Sequence, residues 1–359
     1  MNRAILWFSQ GKRMKAAVYL GPESVEIREV PTPECGPSEI LMKVGACAIC
    51  GTDVRIYYNG QKNVVPPAIT GHEIAGTIVK AGSNLRGYPE GRKAIVVTPV
   101  GCGTCKFCRS AMHNLCVDFK AIGYDYPGGF AEYVLINEAA VRQGNVILAP
   151  DSLDFDEGSL VEPLSCCING QEYLKISLGD TAVVIGAGPI GCMHAELAKS
   201  YGAAKVIMFD TVDDRVELAR KTTSADVFLN SAKVDAVKAV MDETDGVGAD
   251  VVIAACSAGP AQQQAMKMAA KRARVSFFAG LPKDRPTIEF DSNLLHYREI
   301  SVFGAFASHA TDYARALALV ASRKIDARKF ISRRIPLDQI VSGYQYSRSG
   351  QGLKVVVQP

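Results

Sequence analysis

Four of the eleven cysteines of this chain stand close together, as Cys102, Cys105, Cys108 and Cys116 in the run GCGTCKFCRSAMHNLC. Thiols at the spacing C-x2-C-x2-C-x7-C are typical of a metal site, and four sulfur ligands with no open position are how structural Zn²⁺ is bound. An iron–sulfur cluster is the main alternative, but its common run closes with x3-C-P, whereas Val117 follows here. Unligated thiols are the remaining alternative. The pattern predicts a structural zinc lobe over residues 101–117.

Three further segments carry residue types that bind metals or move protons. They are Cys50-Gly51-Thr52-Asp53, Gly71-His72-Glu73 and Glu162-Pro163-Leu164. Each taken singly has a plain structural reading, such as a buried thiol or a polar pair at the end of a strand. Because the same chain also contains the cysteine cluster and a cofactor motif, we interpret the three segments together as parts of one functional site.

The cofactor motif is the glycine-rich run Gly186-Ala187-Gly188-Pro189-Ile190-Gly191. It directly follows the apolar strand TAVVI and opens the helix MHAELAKSYG. In this context the first glycine permits a tight turn, the second lets the backbone approach a pyrophosphate, and the third lets the helix pack on the strand. The N-terminus of the helix then faces the phosphates. The run therefore predicts a dinucleotide site.

A carboxylate indicates which dinucleotide this site prefers. Asp210 ends the next strand, KVIMFD, where a carboxylate accepts hydrogen bonds from the ribose 2′-hydroxyl and repels a 2′-phosphate. The predicted cofactor is therefore NAD, although Arg215 lies close enough in sequence to weaken the discrimination. A plain cap at the end of the strand is the alternative role for Asp210.

Composition limits the class of protein. The chain has 359 residues, of which 48% are hydrophobic and 21% charged, as in globular proteins of two domains. The net charge of +3 comes without a basic block, so we expect no nucleic acid partner. No apolar run approaches the ~20 residues of a membrane span. Many cysteines without a secretory signal fit a reducing compartment, so a cytoplasmic location is expected.

The elements that must position these residues fall into two groups. Residues 14–165 contain many Gly and Pro residues and short runs such as EILMKVGACAI, which are typical of a compact β-rich domain. Residues 166–299 alternate apolar strands with helical stretches, which predicts an α/β fold with a parallel sheet covered by helices. Residues 300–359 end in the strand LKVVVQ and are predicted to return to the first domain.

The first thirteen residues precede a strand-like run that begins at Met14. Their apolar stretch is too short for the core of a signal peptide. Two interpretations of residues 1–13 stay open. They form a disordered extension, or Met14 is the native start.

Together these motifs resemble the zinc-containing medium-chain dehydrogenase/reductase superfamily. The resemblance covers Met14 to Pro359 and rests on the motifs CGTD, GHEIAG, GGFAEYV and GAGPIG, the four cysteines and Asp210. Glu162-Pro163-Leu164 is similar to the polyol (sorbitol) dehydrogenase branch and its threonine and glucose dehydrogenase relatives. The resemblance implies a discontinuous GroES-like catalytic domain, a Rossmann NAD-binding domain, one catalytic and one structural Zn²⁺ per chain, and a homodimer or homotetramer.

The resemblance also implies a reaction. Cys50, His72 and either Glu73 or Glu162 would hold the catalytic Zn²⁺, with one position open for an alcohol hydroxyl whose pKa the metal lowers. The alkoxide would pass a hydride to the nicotinamide of NAD, while Thr52 would bond the substrate oxygen and pass its proton outward. The implied activity is the oxidation of a secondary alcohol, a polyol or related sugar, to a ketone.

One departure from the family pattern leaves the substrate open. Arg55 stands where many relatives have the histidine that ends a proton relay, and arginine does not deprotonate near neutral pH. Arg55 is interpreted as a surface salt-bridging residue, or as a group that holds an anionic substrate such as a sugar-alcohol phosphate. An amino-acid alcohol resembling threonine is another possible substrate. A non-catalytic NAD-binding scaffold and a zinc-free quinone reductase relative are disfavoured, because the whole set of catalytic residues is present.

Overall fold

The computed structural model describes residues 12–359, in two units. One unit runs up to Pro163 and resumes from Ser308 to Pro359, and the other is Leu164–Ala307. Apart from Lys12 and Arg13, the predicted extension 1–13 lies outside the described residues. No helix in the described part is long and apolar enough to cross a membrane.

The chain up to Pro163 is mostly strands, because short β-branched runs alternate with turns rich in Gly and Pro. Its strands are β1 (Arg13–Gly21), β2 (Ser24–Pro31), β3 (Ile40–Ala48), β4 (Ala68–Ile69), β5 (Glu73–Ala81), β6 (Lys93–Val96), β7 (Pro99–Val100), β8 (Lys120–Ala121), β9 (Tyr133–Ile136) and β10 (Val146–Leu148). Its helices are α1 (Gly51–Asn59), α2 (Lys106–Arg109), α3 (Glu138–Arg142), α4 (Phe155–Ser159) and α5 (Val161–Glu172), the last of which continues past Pro163.

The second unit alternates strands and helices. Its elements are β11 (Thr181–Ile185), α6 (Pro189–Tyr201), β12 (Lys205–Asp210), α7 (Asp213–Thr222), β13 (Val227–Asn230), α8 (Ala236–Glu243), β14 (Ala249–Ala254), α9 (Gly259–Met268), β15 (Ala269–Phe277), α10 (Ser292–Arg298) and β16 (Ser301–Gly304). The six strands are parallel, in the order β13-β12-β11-β14-β15-β16. This is the strand order of dinucleotide-binding Rossmann sheets, and it confirms the predicted α/β fold class.

One predicted boundary is wrong by eight residues. The predicted second domain ends at residue 299, but β16 pairs in parallel with β15, from Arg274 opposite Ser301 to Phe277 opposite Gly304. This strand completes the six-stranded sheet, so the unit continues to Ala307. The first predicted boundary, after residue 165, lies two residues from the observed division at Pro163.

The last segment of the chain adds two strands to the first unit. It contains α11 (Ala310–Ala321), β17 (Ile331–Pro336), α12 (Ile340–Ser349) and β18 (Lys354–Gln358). A seven-stranded sheet has the order β10-β6-β5-β3-β18-β17, with β9 also paired to β3. Two smaller sheets are β2-β1-β4 and β7-β8. Because β18 and β5 flank β3 at Ala48, this register brings the C-terminal strand close to the first residue of β5.

Candidate active site and metal centres

Three predicted metal ligands come together where α1 and β5 begin. Cys50 precedes α1 in an extended conformation and donates its N–H to Asp53 Oδ2 at 2.9 Å. His72 and Glu73 follow Gly71, whose φ of +92° is readily adopted only by glycine. One ligand atom from each of Cys50, His72 and Glu73 lies within 4.8 Å of the other two. His72 and Glu73 are buried.

His72 is surrounded by groups that favour a cation. Its Nδ1 faces Asp53 Oδ1 at 3.5 Å, and its Nε2 lies 3.3 Å from the hydroxyl of Tyr124. Burial by itself would lower the pKa of His72, but Tyr124, Asp53 and Cys50 outweigh burial and hold the pKa well above the usual 6.5. Surroundings that stabilise a proton on His72 also attract a divalent metal, which binds the neutral imidazole. The buried Asp53 is suited to orient that imidazole from behind.

The carboxylate of Glu73 has a buried counter-ion. Lys354 Nζ lies 2.6 Å from Glu73 Oε1 and 2.8 Å from the carbonyl oxygen of Ile49. Burial raises the pKa of Glu73 to about 7; Lys354 pulls it down and the nearby charge of Glu162 pushes it up. Glu162, in the first turn of α5, therefore lies close enough for its charge to act on Glu73.

These donors fit a catalytic metal centre. A thiol, an imidazole and a carboxylate are the ligand types that hold Zn²⁺ in sites with one open position. Thr52 lies in the first turn of α1 and is partly exposed, two residues from Cys50. The three donors could therefore hold a metal ion, and Thr52 supplies a hydroxyl group close to Cys50 in the sequence.

Sequence reasoning missed three residues of this site, namely Asp53, Tyr124 and Lys354. Asp53 is part of the CGTD motif, so a local signal for it existed. Tyr124 and Lys354 reach the site through a loop and the last strand, and no local pattern marks them.

The four clustered cysteines lie at the distances that a tetrahedral ion requires. The Sγ atom of Cys108 is 4.0 Å from that of Cys102 and 3.6 Å from that of Cys105, which is 3.9 Å from that of Cys116. Sulfurs about 2.3 Å from a tetrahedral Zn²⁺ are separated by about 3.8 Å. An iron–sulfur cluster holds its thiolates around a larger core. The geometry fits one zinc ion better than a cluster.

Backbone hydrogen bonds in the predicted zinc lobe, residues 101–117, favour the thiolate form of two of its cysteines. Backbone N–H groups of Cys102 and Asp118 donate to Cys116 Sγ, and those of Thr104 and Cys105 donate to Cys102 Sγ. Hydrogen bonds from Thr104 and Cys105 lower the pKa of Cys102 to about 6, whereas burial raises the pKa of Cys108 to about 12. A divalent cation would remove the proton from the buried sulfur.

The glycine-rich run forms the turn between β11 and α6. Gly186 has a φ of +110°, and a Cβ on Gly191 would lie only 1.7 Å from the carbonyl oxygen of Gly186. A Cβ on Gly188, by contrast, would meet no atom of the described structure within 4 Å. Pro189 and Ile190 then open α6. The turn therefore combines close helix–strand packing with open space before a helix N-terminus, which fits a bound pyrophosphate.

Asp210 at the end of β12 contacts this turn directly. Its Oδ2 accepts the N–H of Ala187 at 2.8 Å, and its Oδ1 accepts the N–H of Val212 at 3.1 Å. Arg215 Nη1 is 4.0 Å from Asp210 Oδ2. Asp210 is thus a cap for the glycine turn, and its remaining lone pairs are available to a ribose.

Arg55 is exposed, as expected of a surface residue, but the predicted salt bridge is wrong. Among residues 12–359 it makes no ion pair, and its Nη2 donates to Gln61 Oε1 at 2.6 Å. Gln61 bonds Asn63, which bonds Asp125.

Comparisons with known proteins agree with this fold. A family model described as the alcohol dehydrogenase GroES-like domain matches residues 36–150, and one described as zinc-binding dehydrogenase matches residues 189–322. The sorbitol dehydrogenase of Halalkalibacterium halodurans is 32% identical over 96% of this chain and 99% of its own. The L-threonine 3-dehydrogenase of Pyrococcus horikoshii is 35% identical over 96% of this chain and 97% of its own.

A solved structure extends the likeness. A Sinorhizobium meliloti protein described as a zinc-binding dehydrogenase, bound to NADP, superposes with a TM-score of 0.90 at 32% identity, covering 97% of this chain and 100% of its own. Fold and site define a zinc-dependent alcohol oxidoreductase. The chain belongs to the zinc-containing medium-chain dehydrogenase/reductase superfamily, in its polyol dehydrogenase-like branch.

Proposed function

We propose that this enzyme oxidises a secondary alcohol of a polyol or related sugar to a ketone, with NAD as the hydride acceptor. The observation that carries the proposal is the buried group of Cys50, His72 and Glu73, whose ligand atoms lie within 4.8 Å of one another. The relatives described as sorbitol dehydrogenases support the choice of a polyol.

Cys50, His72 and a carboxylate would hold the catalytic metal. Glu73 is favoured as that carboxylate, because its oxygen lies within the ligand group and Lys354 offsets its charge. Glu162 would be the second carboxylate beside the site. Cys102, Cys105, Cys108 and Cys116 would hold the structural zinc.

The chain's own residues would orient the substrate and move its proton. Bound Zn²⁺ supplies a Lewis acid that lowers the pKa of an alcohol hydroxyl, and bound NAD supplies the hydride acceptor. Thr52 would hydrogen-bond the reacting hydroxyl and pass its proton towards solvent. Asp53 would fix the imidazole of His72 through Nδ1, which leaves Nε2 for the metal.

The glycine turn with Pro189 and Ile190 would hold the pyrophosphate of NAD, and Asp210 the ribose. Arg215, 4.0 Å from Asp210, would moderate the preference over NADP. All eleven cysteines are free thiols, which supports a reducing compartment such as the cytoplasm. A homodimer or homotetramer is proposed to form through β16, the edge strand of the parallel sheet.

A panel of polyols with NAD, followed by NADH absorbance, tests the activity, and elemental analysis of two variants tests the ligands. Glu73→Gln should lose most of the catalytic zinc and the turnover, whereas Glu162→Gln should retain more of the metal. Loss of zinc in Glu162→Gln alone would reverse this assignment. Turnover that survives complete removal of the catalytic metal would refute the metal-dependent reaction.

A phosphorylated sugar alcohol is the second candidate substrate. Among residues 12–359, the exposed guanidinium of Arg55 has no carboxylate partner, so it is available to an anionic group. A substrate preference for the phosphorylated form that Arg55→Gln abolishes would favour this candidate.

A further inference from the structure

The hydroxyl of Tyr124 is directed at the nitrogen of His72 that would bind the metal. The hydroxyl lies 3.3 Å from His72 Nε2, and the two ring centroids are 4.9 Å apart with a tilt of 38°. Because Nδ1 faces the carboxylate of Asp53 at 3.5 Å, the imidazole proton belongs on Nδ1. In the neutral form of His72, which is the form that binds a metal, the lone pair is therefore on Nε2 and accepts a hydrogen bond from the phenol. Among residues 12–359, the hydroxyl of Tyr124 has no other hydrogen-bond partner.

The loop that carries Tyr124 is held firmly against the segment before His72. A Cβ on Gly123 would lie 2.6 Å from the carbonyl oxygen of Gly71. The N–H groups of Gly128, Gly129 and Phe130 donate to the carbonyl oxygens of residues 69, 71 and 70. Asp125 accepts the N–H of Ala121 at 3.0 Å. The backbone segments that carry Tyr124 and His72 are therefore held together.

Metal binding would deprive the phenol of its partner. Once Nε2 ligates the metal of the proposed site, its lone pair is no longer available to Tyr124. The side chain of Tyr124 is only partly exposed, and a hydroxyl there without a hydrogen-bond partner costs free energy. A polar group of the substrate can replace the lost partner. In the proposed site, the metal and Thr52 would bind the reacting hydroxyl of the substrate. The partner of Tyr124 would then be a second hydroxyl of the substrate, close to the reacting one.

We propose that Tyr124 determines substrate specificity by hydrogen-bonding a hydroxyl on the carbon next to the reacting one. The site then prefers vicinal diols and polyols over alcohols with a single hydroxyl. The inference rests on the proposed function, since it assigns the substrate class of the same site.

The test uses two alcohols that differ by one hydroxyl, butane-2,3-diol and butan-2-ol. Tyr124→Phe removes the phenolic oxygen and keeps the ring. Tyr126→Phe is the matched control, because it makes the same change in the same loop and its hydroxyl does not contact His72 in the described structure. The readouts are kcat/KM for each alcohol with NAD, the zinc content, and Kd from the visible spectrum of the Co²⁺-substituted protein.

In Tyr124→Phe, the ratio of kcat/KM for the diol to that for butan-2-ol should fall about tenfold, the effect of one hydrogen bond. The Kd of the diol should rise by a similar factor, with two zinc ions retained. Tyr126→Phe should behave as the wild type. An unchanged ratio, or loss of zinc from Tyr124→Phe, would overturn the proposal.

If the wild-type protein oxidised no alcohol, that result would contradict the proposed function. The Co²⁺ titrations would still test Tyr124 in that case. The wild type must then bind the diol more tightly than butan-2-ol, and Tyr124→Phe must lose that preference; equal affinities in the wild type would contradict the assignment.

Discussion

Lys354 and Glu73 form a buried ion pair although 281 residues separate them, with Lys354 Nζ 2.6 Å from Glu73 Oε1. Glu73 is fully buried and Lys354 is 4% exposed. The contact joins the C-terminal strand β18 to the first residue of β5, beside His72. The last strand of the chain therefore supplies the charge that balances a carboxylate of the candidate metal centre.

Replacing Lys354 by Met should destabilise the protein by about 3–5 kcal/mol, because it leaves the Glu73 carboxylate buried without a counter-ion. Urea unfolding of the protein stripped of its catalytic metal by a chelator measures the loss, because a bound Zn²⁺ would itself balance the Glu73 carboxylate. Lys238→Met is the control, since its pair with Asp242 is exposed and such pairs are worth about 0.2–1 kcal/mol. Similar losses of unfolding free energy in the two variants would show that the buried pair of Lys354 and Glu73 stabilises the protein no more than an exposed pair does.

Cys105→Ala should reduce the zinc content from two ions to one and lower the thermal unfolding temperature. The reason is that the predicted zinc lobe, residues 101–117, has little apolar core of its own to hold it together. Elemental analysis and thermal unfolding check this, with Cys35→Ala as the control. Cys35 is a free thiol outside both clusters, so its loss should leave the metal content unchanged. A stable Cys105→Ala protein that keeps both zinc ions but loses turnover would contradict a purely structural role for the lobe.

Asp210→Ser should reduce the preference for NAD over NADP about tenfold or more, because a hydrogen bond to a charged group is worth about 1.5–3 kcal/mol. The ratio of kcat/KM for the two cofactors measures the effect. The variant should also unfold at a lower temperature, since Asp210 accepts the N–H groups of Ala187 and Val212. Arg215→Ala should shift the ratio the other way. Unchanged kinetics with both cofactors would refute the role of Asp210.

His194 on α6 should make the protein less stable in mild acid. It is fully buried, and Gln171 donates to its Nδ1 at 3.0 Å. Burial lowers the pKa of His194 from 6.5 to about 3. Below pH 6.5 the imidazole of His194 therefore binds a proton in the unfolded chain but stays neutral in the folded protein. Stability from this residue is complete above pH 6.5 and is lost as the pH falls towards 3, by roughly 2 kcal/mol at pH 5.

His194→Asn is the informative variant, because its Oδ1 can replace Nδ1 as acceptor but does not titrate. Urea unfolding between pH 7.5 and 5 should show that the free-energy difference between wild type and variant shrinks as the pH falls. A constant difference over this range would mean that His194 does not titrate on unfolding.

Local spacing was enough to predict the four-cysteine metal site and the dinucleotide turn, whereas the catalytic ligand group was implied by the family resemblance. The C-x2-C-x2-C-x7-C motif lies within one loop, and the glycine-rich motif lies within one turn. The residues of each motif are therefore neighbours both in sequence and in space. The parallel sheet was also predictable, because strands buried on both faces need continuous apolar runs. The end of the second unit was predicted too early, because the short apolar sequence of β16 does not indicate which sheet the strand joins.

The sequence by itself therefore determined the superfamily, the cofactor turn and the candidate ligands Cys50, His72 and either Glu73 or Glu162. Only the tertiary structure decided that Lys354 neutralises Glu73 and that Tyr124 reaches His72. The register of β18 on β3 sets the first contact, and the packing of glycines 123 and 128 against Gly71 sets the second. Both depend on backbone pairing between distant segments, which no local pattern of side chains records.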